Sequence, residues 1–479
     1  MVKDLIKKYK NLSLPVKAAI WFLICSILQK GISVLTTPVF TRLFTTEEYG
    51  KYSLYCSWSD ILCIFITLNL SYGVYTQGLI KFENEKNIFT SALQGLTLFL
   101  SLVSFVIYLI GRKFFNSLFN LSTILMVCMF LSLWLNAVFG FWASEQQVNY
   151  RYKKLIMITF LVTILKPFLA IILILYLKTN KVEIRILSFT AIEIIFYSFL
   201  FISQIKKEKN IFNFKFWKYG LKYNVPLVPH YLSQTILHSS DRIMINRYCD
   251  TSSTGIYSLA YSLAMIMTIV NSSIINVLAP WIYRNIKEKN YKKIGENSYP
   301  VLIIIALVNL ILVSLSPEII YIFAPSSYYE AIWLIPPLAM SVYFMFLYNL
   351  FSSFAFYFEK TKMIMYGSIF GAILNIILNI FFIPKYGYMV AAYTTLFCYI
   401  IYAIGHYFFM RIINKKYMDN IVIFDKKIIL TITFIFIILG FVLMLLYQKI
   451  IIRYIFVLLL FIYLIFKRKI IIEILKKRK

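Results

Sequence analysis

The strongest constraint on this chain is the recurrence of apolar runs about as long as a bilayer is thick. Segments of about 20 residues rich in Ile, Leu, Phe and Val follow one another from residue 16 to residue 466, separated by short polar loops. Hydrophobic residues make up 61% of the chain and charged residues 14%. That is more apolar surface than a water-soluble core can hide beneath a polar exterior. The expected fold is all-α and polytopic, with about fourteen transmembrane helices. The second span covers 51–78, the seventh 222–247, the eighth 254–283, and the last two 427–447 and 450–466.

The formal net charge is +29, and its distribution matters more than its size. With the N-terminus placed in the cytoplasm and the spans alternating, most Lys and Arg fall on one face, in the clusters 206–222, 284–293 and 411–427 and in the closing KRKIIIEILKKRK. That asymmetry is the positive-inside rule. It accounts for the charge without a nucleic-acid partner and puts both termini in the cytoplasm. The opening MVKDLIKKYKNLSLPVK is basic and lacks a small-residue cleavage site, so an uncleaved first span is expected rather than a signal peptide. The six cysteines show neither metal-ligand spacing nor a disulfide framework. No phosphate-binding loop of the G-x-x-x-x-G-K-[ST] type occurs, which argues against ATP hydrolysis. No cofactor is expected.

The chain also repeats itself. RLFTTEEYGKYSLYCS at 42–57 aligns without gaps on RYCDTSSTGIYSLAYS at 247–262, and the same register pairs Gln29 with Gln234. Both copies follow the first span of a six-span half, so two pseudo-symmetric six-helix lobes are expected, in one orientation about an axis along the membrane normal. The expected division is a first lobe at 1–205, a cytoplasmic linker at 206–222, a second lobe at 223–412, and two further helices with a basic tail at 413–479. The linker's FNFKFWKYGLK reads either as an amphipathic surface helix or as an aromatic belt beside a basic loop.

Polar groups at membrane depth are costly and mark function or helix contacts. The seventh span carries His230, Gln234, His238, Asp241 and Arg242. At about 100° per residue these fall within a third of its circumference. Arg242 is a permanent cation suited to a phosphate or pyrophosphate, and Asp241 can take a proton or sodium. Either residue can equally lock helices together. His230 and His238 can couple protons or simply bond their neighbours. Lys30 and Asp60 lie at similar depth on the first two spans, and form either cavity groups or a buried ion pair. Asn271 and Asn276, in the eighth span with Ser272 and Ser273, can bond a sugar or neighbouring helices. Lys166 and Glu193 are isolated charges on the fifth and sixth spans, expected to pair with each other.

Several of these stretches together resemble one family. TPVFTRLFTTEEYGKYSL, NVPLVPHYLSQTILHSSDRIMINRY, the following TGIYSLAYS and the later FIPKYGYMVAAY are similar to polysaccharide flippases of the Wzx type, in the superfamily that also holds multidrug extruders and the lipid II flippase. The resemblance implies two six-helix lobes around a cationic cavity. It also implies transfer of an undecaprenyl-pyrophosphate-linked oligosaccharide across the bacterial cytoplasmic membrane, coupled to H+ or Na+. It implies that Lys30, Arg42, Asp241, Arg242 and Arg247 occupy cavity or gate positions. The expected substrate-facing set is thus Lys30, Arg42, Gln234, Arg242, Arg247, Asn271 and Asn276. The expected ion-coupling set is Asp60, Asp241, His230 and His238. Expected partners are the lipid-linked glycan, membrane lipid, the coupling ion and other assembly proteins such as the polymerase. Two alternatives compete. A multidrug/ion antiporter of the same superfamily would want acidic rather than basic cavity residues. A membrane glycosyltransferase or polymerase has Glu47 and Glu48 available but lacks a sizeable external loop to hold a catalytic domain.

Overall fold

The structure, a computed structural model, describes residues 13–466; the basic opening stretch and the closing KRKIIIEILKKRK lie outside them. Every regular element among the described residues is helical. The chain divides into two compact units, Met1–Thr235 and Ile236–Lys479.

The first unit opens with α1 (Leu14–Leu43) and α2 (Thr46–Thr67). Thr45 starts α2 with a reciprocal capping box: its hydroxyl accepts from the Glu48 amide at 3.1 Å, and the Glu48 carboxylate accepts from the Thr45 amide at 2.9 Å. The expected span 51–78 is not one helix. Leu68 and Asn69 turn left-handed, both at φ 49°, and Gly73 sits at φ 65°, before the chain restarts as α3 (Val74–Lys81). The carbonyl freed at Leu68 accepts from Asn224 Nδ2 at 2.7 Å, so the break is satisfied inside the protein, as lipid requires.

Next come α4 (Lys86–Ile110), the short amphipathic α5 (Arg112–Phe119), α6 (Thr123–Val148), α7 (Tyr152–Leu177) and α8 (Lys181–Ile205). The linker forms α9 (Phe214–Asn224). Its Phe216 and Trp217 are buried while Lys215 and Lys218 are exposed. Trp217 Nε1 donates to the Ala92 carbonyl at 2.8 Å, so the linker helix is docked on the first unit by its apolar face. A 3-10 turn over Val225–Leu227 then leads into α10 (Val228–Tyr248), within which the first unit ends.

The second unit continues with α11 (Thr251–Ala264), α12 (Met267–Lys287), α13 (Tyr291–Ser314), α14 (Ser316–Phe323) and α15 (Ile335–Tyr357), followed by α16 (Thr361–Tyr386) and α17 (Val390–Tyr417). Asp250 caps α11 by accepting from the Ser253 amide at 2.7 Å. In the repeat register Asp250 stands where Thr45 stands in the first unit, so both copies place a side-chain cap at the same turn. The expected eighth span is broken at Met265–Ile266, between α11 and α12. The core helix is α15, 89% of whose apolar window is buried; it packs on α12, α13 and α17. The closing α18 (Lys426–Leu445) and α19 (Ile450–Phe466) belong to the second unit. Tyr343 and Thr433 hydroxyls meet at 2.8 Å, Tyr447 Oη donates to the Val313 carbonyl at 2.8 Å, and Arg453 reaches the Ser314 carbonyl at 3.0 Å and the Glu318 carboxylate.

Among the described residues, eleven stretches are long and apolar enough to cross a membrane, Thr251–Lys287 counted as one. The three other expected spans are weaker for visible reasons. The second is cut by the turn after Thr67. The seventh carries the polar stripe. The fourteenth, α19, has 17 residues.

Candidate functional site

The polar stripe on α10 divides into two sides. Asp241 is buried, 1% exposed, and points into the second unit. One carboxylate oxygen accepts from Tyr257 Oη of α11 at 2.6 Å and from Thr395 Oγ1 of α17 at 2.7 Å. The other accepts from Asn379 Nδ2 at 2.6 Å and Asn375 Nδ2 at 3.1 Å, both on α16. Those amides are held in turn: Ser240 Oγ donates to Asn375 Oδ1 at 2.8 Å and Thr394 Oγ1 to Asn379 Oδ1 at 2.5 Å. Three helices, α11, α16 and α17, therefore converge through side chains alone on the carboxylate that α10 carries.

All four donors are neutral, and Asp241 forms no ion pair among the described residues. Neutral donors do not cancel the charge of a carboxylate, and an uncompensated buried charge is expensive. A small hard cation or a proton would cancel it. The shell is rich in oxygen, the ligand type such cations prefer. Each amide carries a carbonyl oxygen beside its NH2 group, so rotation of Asn375 or Asn379 turns a donor into a ligand.

Arg242 leaves the helix about 100° away and does not pair with Asp241. Its guanidinium lies 4.6 Å from the ring centroid of Tyr261, a cation–π contact, and its Nε is sealed without an acceptor. The Tyr261 hydroxyl meets His238 Nδ1 at 2.9 Å. Asp241, Arg242 and His238 are thus brought together through Tyr257 and Tyr261, whose rings stack at 6.1 Å.

The remaining candidates are dispersed. In the first unit Lys30 and Asp60 are exposed on α1 and α2. Arg42 is exposed and donates to the Pro38 carbonyl at 2.9 Å. His230 and Gln234 are half-buried, and His230 Nδ1 is sealed without a partner. In the second unit Arg247 and Asn276 are exposed. Asn271 is buried and donates to the Val342 carbonyl of α15 at 2.8 Å, which makes it a helix–helix contact. The half-buried Lys166 and the buried Glu193 form an ion pair at 2.6 Å, and Asn136 donates to the same carboxylate oxygen at 3.0 Å.

Sequence reasoning missed Tyr257, Asn375, Asn379 and Thr395. One signal was available: two asparagines one turn apart in the otherwise apolar GAILNIILNIFF put two amides on one helix face.

The model for polysaccharide biosynthesis proteins matches residues 16–286, and the MatE model matches residues 226–381. The "Lsg locus putative protein 1" of Haemophilus influenzae is 22% identical over 389 residues, covering 75% of this chain and 89% of that protein. Among solved structures, the lipid II flippase MurJ in an inward closed conformation superposes with a TM-score of 0.72 at 18% identity, covering 95% of this chain and all of that one. An inward-facing multidrug resistance MATE transporter superposes at 0.62 and 13% identity, covering 84% of this chain and 99% of that one. The fold is that of these multi-pass membrane transporters rather than of an enzyme. With a family match over more than half its length, the chain belongs to the polysaccharide biosynthesis protein family.

Proposed function

We propose that this protein flips undecaprenyl-pyrophosphate-linked oligosaccharide units from the inner to the outer leaflet of the bacterial cytoplasmic membrane by alternating access. The units would feed assembly of a surface polysaccharide such as O-antigen or capsule, with the polymerase as the next partner. The observation that carries the reading is the adjacent pair on α10. Asp241 sits in an all-neutral, oxygen-rich shell, and Arg242 lies on Tyr261 and, among the described residues, has no carboxylate partner. The first is suited to a coupling H+ or Na+, the second to a pyrophosphate. Moving a glycan past about 30 Å of hydrocarbon needs polar walls for the sugar and fixed cations for the pyrophosphate, while the prenyl tail stays in lipid.

The test is leaflet transfer of a fluorescent lipid-linked oligosaccharide in proteoliposomes, with imposed H+ or Na+ gradients. The unaltered protein should respond to one of the two gradients. Asp241→Asn should lose that response and slow transfer about tenfold or more, and Arg242→Ala should slow it comparably under either gradient. Normal transfer with an intact gradient response in both variants would reject the reading.

The MatE match over 226–381, which holds Asp241, favours one second reading, an ion-coupled exporter of organic cations. In that case drug efflux from cells should survive Arg242→Ala and fail in Asp241→Asn.

A further inference from the structure

The first unit holds a buried arginine of its own, apart from the site on α10. Arg185 lies in the second turn of α8 and is 9% exposed. Its guanidinium carbon stands 3.7 Å from the ring centroid of Phe40 at the end of α1 and 3.6 Å from that of Tyr52 on α2. Two rings at that distance cannot share one face of a planar group, so they cover both. Phe44 and Phe189, each at 5.6 Å, close the surroundings. Hydrogen bonding is left to the guanidinium edge, and there Nε and Nη1 are buried without an acceptor.

The nearby carboxylates are already engaged. Glu183 holds Lys51 at 2.7 Å, Glu48 holds Lys181 at 3.6 Å and also closes the capping box of α2, and Glu193, farther along α8, holds Lys166. Arg185 forms no ion pair among the described residues. Aromatic faces offset part of the cost of burying a cation, but unmade N–H bonds add to that cost. A packing role would be met as well by an apolar side chain of similar length. The slot lies about 6 Å along α8 from its first residue, beside the turn joining α1 to α2.

We infer that the Arg185 slot is an oxyanion site that receives one phosphate group in the plane of the guanidinium, between Phe40 and Tyr52. The phosphate belongs either to a prenyl pyrophosphate or to an anionic phospholipid headgroup. The first source rests on the function proposed above; the phosphate chemistry itself does not. A planar, permanently charged group clamped on both faces presents its N–H donors to phosphate oxygens in one fixed orientation, which an ammonium on a flexible stem does not do.

The experiment uses the full chain in phosphatidylcholine nanodiscs, alone, with farnesyl pyrophosphate, with farnesol, or doped with phosphatidylglycerol. Thermal unfolding and native mass spectrometry are the readouts. Arg185→Met should unfold at the same temperature as the unaltered protein, or higher, without a probe. It should lose about tenfold or more of the affinity for one phosphate-bearing probe, and farnesol should bind both proteins alike. Arg185→Lys, which keeps the charge but not the fork, should recover only part of the loss. Loss of farnesyl pyrophosphate binding assigns the slot to substrate, and loss of phosphatidylglycerol retention assigns it to a headgroup; both support the oxyanion site. Two results would overturn it: both phosphate probes bound as before, or Arg185→Met unstable without any probe while its ligand shifts persist, which marks a packing clamp. Arg242→Ala, measured in parallel, separates the two claims. A phosphate effect confined to Arg242→Ala removes this inference and leaves the proposed function standing, whereas an effect confined to Arg185→Met keeps this inference and takes the pyrophosphate role away from Arg242.

Discussion

Two acids at membrane depth are treated in opposite ways. Glu193 is neutralised on the spot by Lys166 at 2.6 Å, whereas Asp241 receives four hydrogen bonds and no charge. The first arrangement makes a fixed strut, and the second leaves a carboxylate whose hydrogen-bond donors are all neutral. The strut should behave as a coupled pair. Glu193→Gln or Lys166→Met alone leaves one buried charge behind and should cost about 3–5 kcal/mol. The double variant should cost much less than the sum of the two, and unfolding of the four proteins in detergent checks the cycle. The pair was legible because α7 and α8 are consecutive and antiparallel, so depth can be counted from their shared turn. The shell of Asp241 was not. Its partners lie 16, 134, 138 and 154 positions away, and no local periodicity links them.

At the scale of elements, the apolar runs located the helices, and the interruptions inside the runs were hidden. Left-handed Leu68 and Asn69 sit in a stretch whose mean apolarity barely changes, so a window of spanning length averages over them. What stabilises the break is tertiary: the Asn224 amide on the Leu68 carbonyl, carried there by α9. That docking depends on a glycine. A Cβ on Gly95 of α4 would collide with both the side chain and the backbone carbonyl of Ile211, just ahead of α9, whereas a Cβ on Gly31 of α1 meets nothing within 4 Å. Gly95→Ala should therefore cost about 1–3 kcal/mol and speed hydrogen exchange across 206–224. Gly31→Ala should be neutral or stabilising by up to about 1 kcal/mol. Exchange in Gly95→Ala no faster than in Gly31→Ala would reject the account of the linker as a docked element.

For the whole molecule, the basic clusters predict an orientation. In a background without native cysteines, single cysteines at Lys209, Glu288 and Asp419 should react only with a reagent admitted to the cytoplasmic side. Cysteines at Asn180, Asp250 and Gly387 should react from outside. A mixed pattern within either set would refute the assigned topology. The sequence by itself determined that lipid is the solvent, that helices span it, that the stretch at 42–57 recurs at 247–262 and that α10 carries an unusual polar stripe. Each of these is a property of composition or of spacing along one segment. Only the tertiary structure decided what the polar groups do. Asn271 is drawn into a contact with α15, Lys166 is given to Glu193, and Asp241 is surrounded by α11, α16 and α17. A side chain that is costly in hydrocarbon must find a partner, and the identity of that partner depends on which helices pack side by side, which no single segment encodes.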